Sequence, residues 1–331
     1  METVADALVS AILVTWNSAP LLRRCLEAIR QQSYQPIELI HVDNASSDDS
    51  VQLVTGAARQ IVNAENRGFA AAVNQGISAA KGDYVQLVNP DAFLGVDYVA
   101  SLVRALELAG DRFGMATGKL LRADDPNVVD TMGIRMTRTG RHLDIQALSS
   151  QLSALGGGGR REPRADSREP IEVFGVSGAA AMYTRAFIDD VSIDGQFLDE
   201  DFHTYREDAD VAWRGQLFGW RALYVPEAVG EHVRTVTPER RRSLPAFVNM
   251  HSVKNRFLLR LKNEGAYLAL RNAPFELARD AVADAACLTI ERSSLPAFAW
   301  LWKNRRRILA RRREIQRRRR VSDRALASWF R

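Results

Sequence analysis

Leu8-Val9-Ser10-Ala11-Ile12-Leu13-Val14, followed at once by Thr15-Trp16-Asn17, has the composition of a buried β-strand with a polar end. Ser18-Ala19-Pro20 then opens a helix, the hydroxyl suited to capping free amides and the proline to the first turn. Leu21, Leu22, Cys25, Leu26 and Ile29 recur at helical spacing and are expected to face a sheet. The pattern repeats downstream. Ile37–Val42 reads as the next strand, followed by Asn44-Ala45-Ser46-Ser47-Asp48 and a helix through Ala58. Gln60–Asn63 is a short third strand, Gly68–Ala80 a small-residue helix and Tyr84–Asn89 a fourth strand. This alternation predicts βαβ units: an α/β fold with a mostly parallel central sheet flanked by helices. Such sheets bind ligands just beyond the carboxyl ends of their strands, and the polar residues sit at those ends.

The chain has 331 residues, 46% of them hydrophobic, enough for a sizeable core in one to three domains. The two cysteines, Cys25 and Cys287, make a disulfide framework or cysteine metal site a poor fit and suggest a reducing compartment. No apolar run reaches the roughly 18 residues that span a bilayer. Met1–Ala7 carries acids where a secretory leader would carry lysine or arginine, so a cytoplasmic location is expected. The net charge of +5 is unevenly placed: residues 300–331 carry +11 and the remainder −6. An acidic body with a basic tail suits docking on an anionic partner.

Residues 149–170 interrupt the alternation with the glycine run Gly156–Gly159 and then Arg160, Arg161, Pro163 and Pro170, a composition that predicts a mobile surface loop. Regular structure is expected again at Ile171–Phe174 and Gly178–Tyr183. Beyond about residue 243 the pattern is helical, with breaks expected at Pro245, Pro274 and Pro296. The reading is therefore an α/β domain over 1–242 and a helical C-terminal extension over 243–331.

Candidate chemistry gathers at element ends. Thr15, Trp16 and Asn17 follow the first strand, Asp43 and Asn44 the second, and Asn89-Pro90-Asp91 the fourth. Carboxylates there can hydrogen-bond a base or ribose, or hold a cation; turn and cap roles compete for each one singly. A second feature is the cluster Asp199, Glu200, Asp201, Glu207, Asp208 and Asp210, which needs positive charge to organise it. Glu207 and Asp208 are expected at a helix N-terminus, where the dipole favours ionised carboxylates, and an ionised carboxylate facing a cleft can serve as a general base. His232 closes the strand that starts near Ala222.

These motifs together, from about Leu8 to Arg260, resemble the inverting family 2 glycosyltransferases of GT-A fold, and most closely their rhamnosyltransferase-like branch. The resemblance lies in Val14-Thr15-Trp16-Asn17, Val42–Asp48, Glu65-Asn66-Arg67-Gly68-Phe69 with Asn74 and Gly76, and Leu87–Asp91. It continues in Gly175–Ala179, Tyr205–Asp210, and Arg214 with Gly219-Trp220. It implies a nucleotide-diphospho-sugar transferase in which Thr15, Trp16, Asn17 and Asp43 hold the nucleotide, and Asn66, Arg67 and Asn74 line the donor site. Asp91 matches the last residue of the family's metal-binding DxD motif and His232 the histidine that completes the site in some relatives. Together these imply Mg²⁺ or Mn²⁺. Asn89 stands where the first acid of that motif would be, a departure that weakens tight metal binding. Asp208 matches the proposed base, with Glu207 and Arg214 in support. The resemblance also implies L-rhamnose from dTDP-L-rhamnose as the donated sugar, and a glycan or polyprenyl-diphosphate-linked acceptor in cell-surface polysaccharide synthesis.

The same motifs admit a UDP-hexose or galactofuranose donor. A non-catalytic nucleotide-sugar-binding scaffold is the reading from another class, and retention of Asp208, Asp91 and His232 argues against it. In the tail, Leu301, Ile308 and Ile315 form one thin apolar stripe among arginines, with Trp329 and Phe330 beyond. That predicts an anionic membrane surface as the partner of residues 300–331, on the inner face of the plasma membrane. No nucleic-acid module is recognisable in the acidic body, so no nucleic-acid partner is expected.

Overall fold

The computed structural model describes residues 7–146, 163–164, 166–234 and 246–331. The first half follows the expected alternation: β1 (Val9–Thr15), α1 (Ala19–Arg30), β2 (Ile37–Asp43), α2 (Ser50–Leu53), β3 (Arg59–Val62), α3 (Phe69–Ala79) and β4 (Tyr84–Val88). After it come β5 (Ala92–Leu94), α4 (Tyr98–Ala109), β6 (Phe113–Arg122), β7 (Asp125–Thr131), β8 (Ile134–Met136), β9 (His142–Asp144), β10 (Ile171–Val173), β11 (Ala181–Thr184) and α5 (Arg185–Val191). α6 (Glu207–Leu217) and β12 (Arg221–His232) complete the sheet layer, and α7 (Ala246–Asn263), α8 (Ala266–Thr289), α9 (Pro296–Arg318) and α10 (Asp323–Leu326) follow.

One ten-stranded sheet has the order β10-β12-β6-β11-β4-β1-β2-β3, with β5 on β12 and β7 on β6. Strands β3, β2, β1 and β4 are parallel, as the alternation requires. Beyond β4 the sheet is mixed, because β11 enters antiparallel between β4 and β6. The mostly parallel character thus holds for the N-terminal half. Side chains of β1 alternate between two cores. Val9, Ala11 and Leu13 pack with α1 and α4, while Ile12 and Val14 pack on the opposite face with α3 and the C-terminal helices.

Four local expectations are corrected. The helix expected through Ala58 stops at Leu53, since the chain must turn back to start β3 at Arg59. Ser18 does not cap α1 with its hydroxyl; Asp48 Oδ2 instead accepts from the Ala19 amide at 3.0 Å. Pro274 does not break α8, because it lies on the exposed side, where the carbonyl left without a donor meets water. The basic segment 300–331 is not a loose arm. Ile308, Ile315, Leu326, Trp329 and Phe330 are buried in the same core as α3 and α6, with Phe330 4.9 Å from the Trp213 ring and 6.0 Å from Phe174. Trp329 and Phe330, expected at a lipid interface, are core residues. Residues 235–245, where the expected division near 242 falls, and most of the 149–170 stretch lie outside the described residues.

The positive charge that organises the acidic cluster comes from these C-terminal helices. Lys262 on α7 pairs with Asp199 and, at 2.9 Å, with Asp210. On α9, Arg311 pairs with Asp199, and Arg307 holds Asp201 at 2.5 Å. The two halves of the charge asymmetry therefore meet inside one molecule.

Candidate active site

The carboxyl ends of β1 and β2 are knitted together by side chains. Thr15 Oγ1 donates to Asp43 Oδ1 at 2.8 Å and lies 2.8 Å from His41 Nε2. Asp43 also accepts from the Ser46 amide at 2.9 Å and the Ser46 hydroxyl at 2.6 Å. Asn17 Oδ1 accepts from the Ser47 amide at 2.8 Å, tying the two strand-end loops together, and Trp16 beside it is 57% exposed. Thr15, Trp16, Asn17 and Asp43 thus lie together at the carboxyl ends of β1 and β2.

The neighbouring loop, between β3 and α3, is pinned from below. Asn44 Nδ2 donates to Asn66 Oδ1 at 2.9 Å, and Asn44 Oδ1 accepts from the Arg67 amide at 3.0 Å. Gly68 adopts φ +86°, and a Cβ there would lie 2.4 Å from the His203 ring, so only glycine allows the loop to close on the acidic segment. The exposed Arg67 guanidinium has no protein partner among the described residues. Asn74 differs from expectation. Its Nδ2 donates to Leu198 O at 2.8 Å and Glu200 Oε1 at 3.1 Å, and its Oδ1 accepts from the Leu198 amide. It clasps the acidic segment to α3, and both of its amide hydrogens are taken.

On the opposite side, Asn89 and Asp91 form a tight turn. The Asn89 amide donates to Ala179 O at 2.9 Å, and the Ala92 amide returns to Asn89 O at 3.0 Å. Pairing of β5 with the end of β12 sets Ala92 opposite His232, and His232 Nε2 lies 3.4 Å from Asp91 Oδ1. The other ring nitrogen, Nδ1, is 2.8 Å from Asp130 Oδ2. Burial disfavours the imidazolium, but the two carboxylates outweigh it and raise the His232 pKa to about 9. Arg234 extends the array, meeting Asp130 at 2.6 Å and Asp144 at 2.5 Å. Among the described residues, no three acids, histidines or cysteines are grouped as a complete metal site.

Asp208 stands in the first turn of α6, its Oδ2 3.3 Å from the Gly178 amide and its Oδ1 accepting from the Ala209 amide at 2.7 Å. Burial, with Asp144 adding repulsion, pushes its pKa up to about 6. Burial and the charge of Asp208 push Glu207 up to about 8, and Glu207 Oε2 is buried with no hydrogen-bond partner among the described residues. The expectation that the helix dipole keeps both ionised is thus corrected. Burial and repulsion between carboxylates raise both carboxyls, Glu207 the more strongly, so the pair resists carrying two charges at once.

Asp210 and Arg214 belong to the scaffold. Arg214 donates to Asp210 at 3.0 Å and Phe197 O at 2.6 Å, and Asp210 also receives Lys262 and Asn263, all fully buried. Sequence reasoning missed Asp130, Asp144 and Arg234. A buried acid inside the apolar run Val128–Met132 was the available signal for Asp130.

Residues 10–192 match the sequence profile of the family described as glycosyl transferase family 2. Glycosyltransferase GlyG of Streptococcus pneumoniae is 34% identical over 106 residues, 30% of this chain and 35% of GlyG. The chain thus spans about a third of the length of the first curated relatives it matches. An N-acetylglucosaminyl-diphospho-decaprenol L-rhamnosyltransferase of Mycobacterium tuberculosis is 27% identical over 238 residues, 66% of this chain and 73% of the relative. Among solved structures, the mannosyltransferase PcManGT of Pyrobaculum calidifontis, in complex with GDP-Man and Mn²⁺, is similar in fold. Its TM-score is 0.54 at 21% identity, covering 95% of this chain and 84% of that one.

Proposed function

This chain belongs to glycosyl transferase family 2, and from that premise we propose that it moves a sugar from a nucleotide-diphospho donor to an acceptor hydroxyl by a single inverting displacement with Asp208 as base. What supports this is one continuous chain of charges: Asp91, His232, Asp130, Arg234 and Asp144, ending within electrostatic reach of Asp208. Leaving-group and base chemistry are thereby held on one frame. A carboxylate with a pKa of about 6 is mostly ionised at neutral pH yet basic enough to accept a proton as the glycosidic bond forms.

In this reading Thr15, Trp16, Asn17 and Asp43 receive the nucleotide, the exposed Trp16 ring beside the base. Asn66 and Arg67 face the donor, and the free Arg67 guanidinium meets its phosphates. Asn74 acts through the segment it clasps. Asp91 Oδ1 and His232 Nε2 fit a divalent cation as two protein ligands, since Asp130 behind Nδ1 supplies the oriented carboxylate–histidine arrangement of metal sites. Mg²⁺ or Mn²⁺ held there would neutralise charge on the departing diphosphate. Asn89 contributes through the turn that presents Asp91.

The named activity of the mycobacterial relative supports L-rhamnose as the donated sugar and a polyprenyl-diphosphate-linked acceptor; dTDP as the carrier and a role in cell-surface polysaccharide synthesis rest on the family resemblance. Such an acceptor favours a peripheral position on the inner face of the plasma membrane. No helix among the described residues is long and apolar enough to cross a membrane. Competition of dTDP-L-rhamnose against UDP-glucose, UDP-galactose and GDP-mannose, read by thermal shift and by transfer, tests the donor. Preference for any of the other three would overturn the rhamnosyl assignment and leave the transferase reading standing.

A further inference from the structure

The docked C-terminal helix α9 divides its residues cleanly between two faces. Ala297, Ile308, Arg311 and Ile315 are buried, and with Arg318 they recur at helical spacing along the side that meets the body. The opposite side carries Trp302, Arg305, Arg306, Leu309, Arg312 and Arg313, again at helical spacing. Trp302 is 69% and Leu309 49% exposed. The arginines follow the same division. Arg307, Arg311 and Arg318 pair with Asp201, Asp199 and Asp190 of the body. Arg305, Arg306 and Arg313 form no salt bridge among the described residues, and Arg305 donates to Trp302 O; Arg312 donates to Leu261 O and feels only the more distant charge of Glu264. The only acid on the helix, Glu314, is taken by Arg317 at 2.7 Å. The chain entering this helix is also apolar at its surface, with Ile290 83% exposed and Leu288 and Leu295 near it.

We propose that this outward face of α9 is the seat of an anionic phospholipid surface. The proposal rests on the peripheral-attachment reading above and deepens it by assigning the contact. Three arginines, Arg306, Arg312 and Arg313, line a recess of about 520 Å³ together with Leu309 and Gln316, suited to phosphate headgroups. Trp302 and Leu309 stand among the same arginines, where an interfacial helix places its shallow apolar anchors. The aliphatic Leu309, with the exposed Leu288, Ile290 and Leu295 near the start of the helix, has no counterpart on a nucleic-acid backbone and favours lipid. The other aromatics of the segment are not available: Trp300 packs on the body under Lys254, and Trp329 and Phe330 are buried.

The test is sedimentation of the full chain with vesicles of phosphatidylcholine alone and of phosphatidylcholine mixed with phosphatidylglycerol. Binding only to the mixed vesicles is expected. The triple variant Arg305→Gln, Arg306→Gln, Arg313→Gln should weaken it on the order of a hundredfold, since each interfacial arginine contributes about 1 kcal/mol. Trp302→Ala should lower the binding that survives added salt. Both variants alter exposed residues, so unchanged melting and unchanged transfer to a soluble acceptor verify the fold. Wild-type binding by the triple variant would overturn the surface assignment while leaving peripheral attachment intact. A wild-type chain that ignores vesicles, or binds duplex DNA in preference to them, would overturn both. Neither result touches the transferase reading, which is measured separately.

Discussion

Replacing Asp208 with asparagine should make the protein a far poorer catalyst and a more stable molecule. The carboxyl rises from an ordinary 3.8 to about 6, chiefly because it is buried. An acid whose pKa is raised on folding lowers stability as pH climbs from the unfolded value to the folded one, and the loss is complete above about 6. At neutral pH that amounts to about 3 kcal/mol. Asparagine removes this cost but gives up the contact from the Gly178 amide, about 1 kcal/mol, because its own N–H₂ then faces a donor. The net expectation is about 2 kcal/mol of stabilisation at pH 7.5, a rise in Tm of roughly 3 °C for a chain of 331 residues, shrinking to nothing or reversing below pH 4. Turnover should fall by two or more orders of magnitude with donor binding nearly intact. Wild-type kcat/KM should drop about tenfold per pH unit below about 6. Thermal unfolding across pH, donor titration and steady-state transfer measure all three. Wild-type turnover in the variant would refute Asp208 as base, and a lowered Tm at pH 7.5 would refute the account of its burial.

Asp210→Asn, two residues along, should have the opposite effect on stability. It leaves Lys262 and Arg214 buried with less counter-charge and should cost about 3–5 kcal/mol, measurable by denaturant titration; an unchanged midpoint would argue against the hub. Asp130→Asn should weaken Mn²⁺ binding in the presence of donor by about 10–100-fold while the fold persists. Calorimetric titration decides it, and activity unaffected by exhaustive chelation would remove the cation from the reaction. Phe330→Ala should cost about 3–5 kcal/mol because the ring fills the space between Phe174 and Trp213. A Tm shift no larger than that of the exposed control Leu270→Ala would contradict its core role.

The joined ends of β1 and β2 were legible because their parts are local. Thr15 and Asp43 end strands whose patterns can be read within a dozen residues, and parallel neighbours bring such ends together. Asp130, Asp144 and Arg234 were not, because pairing of β6 with β7 and the bulged course of β12 set them beside His232 with no fixed spacing. The tail shows a different limit. Both the acid cluster and the basic segment were visible, but composition does not say which charges answer which. Arginines read as free for lipid include Arg307, Arg311 and Arg318, which neutralise the body. The helix dipole on Glu207 was a sound local rule overruled by tertiary burial.

The marriage of the acid cluster to residues about a hundred positions downstream has a consequence for biosynthesis. Asp199, Asp201 and Asp210 leave the ribosome well before Arg307 and Arg311, and at ordinary translation speeds the gap is about 5–20 s. Throughout that interval the nascent chain holds α6 with neighbouring charges that lack two of their counter-ions, and a core face awaiting Trp329 and Phe330. A chain in which α9 has not yet docked is therefore expected to be inactive. A ribosome-stalled chain ending before α9 should be cut readily by protease near Asp199–Tyr205, and the finished chain should resist.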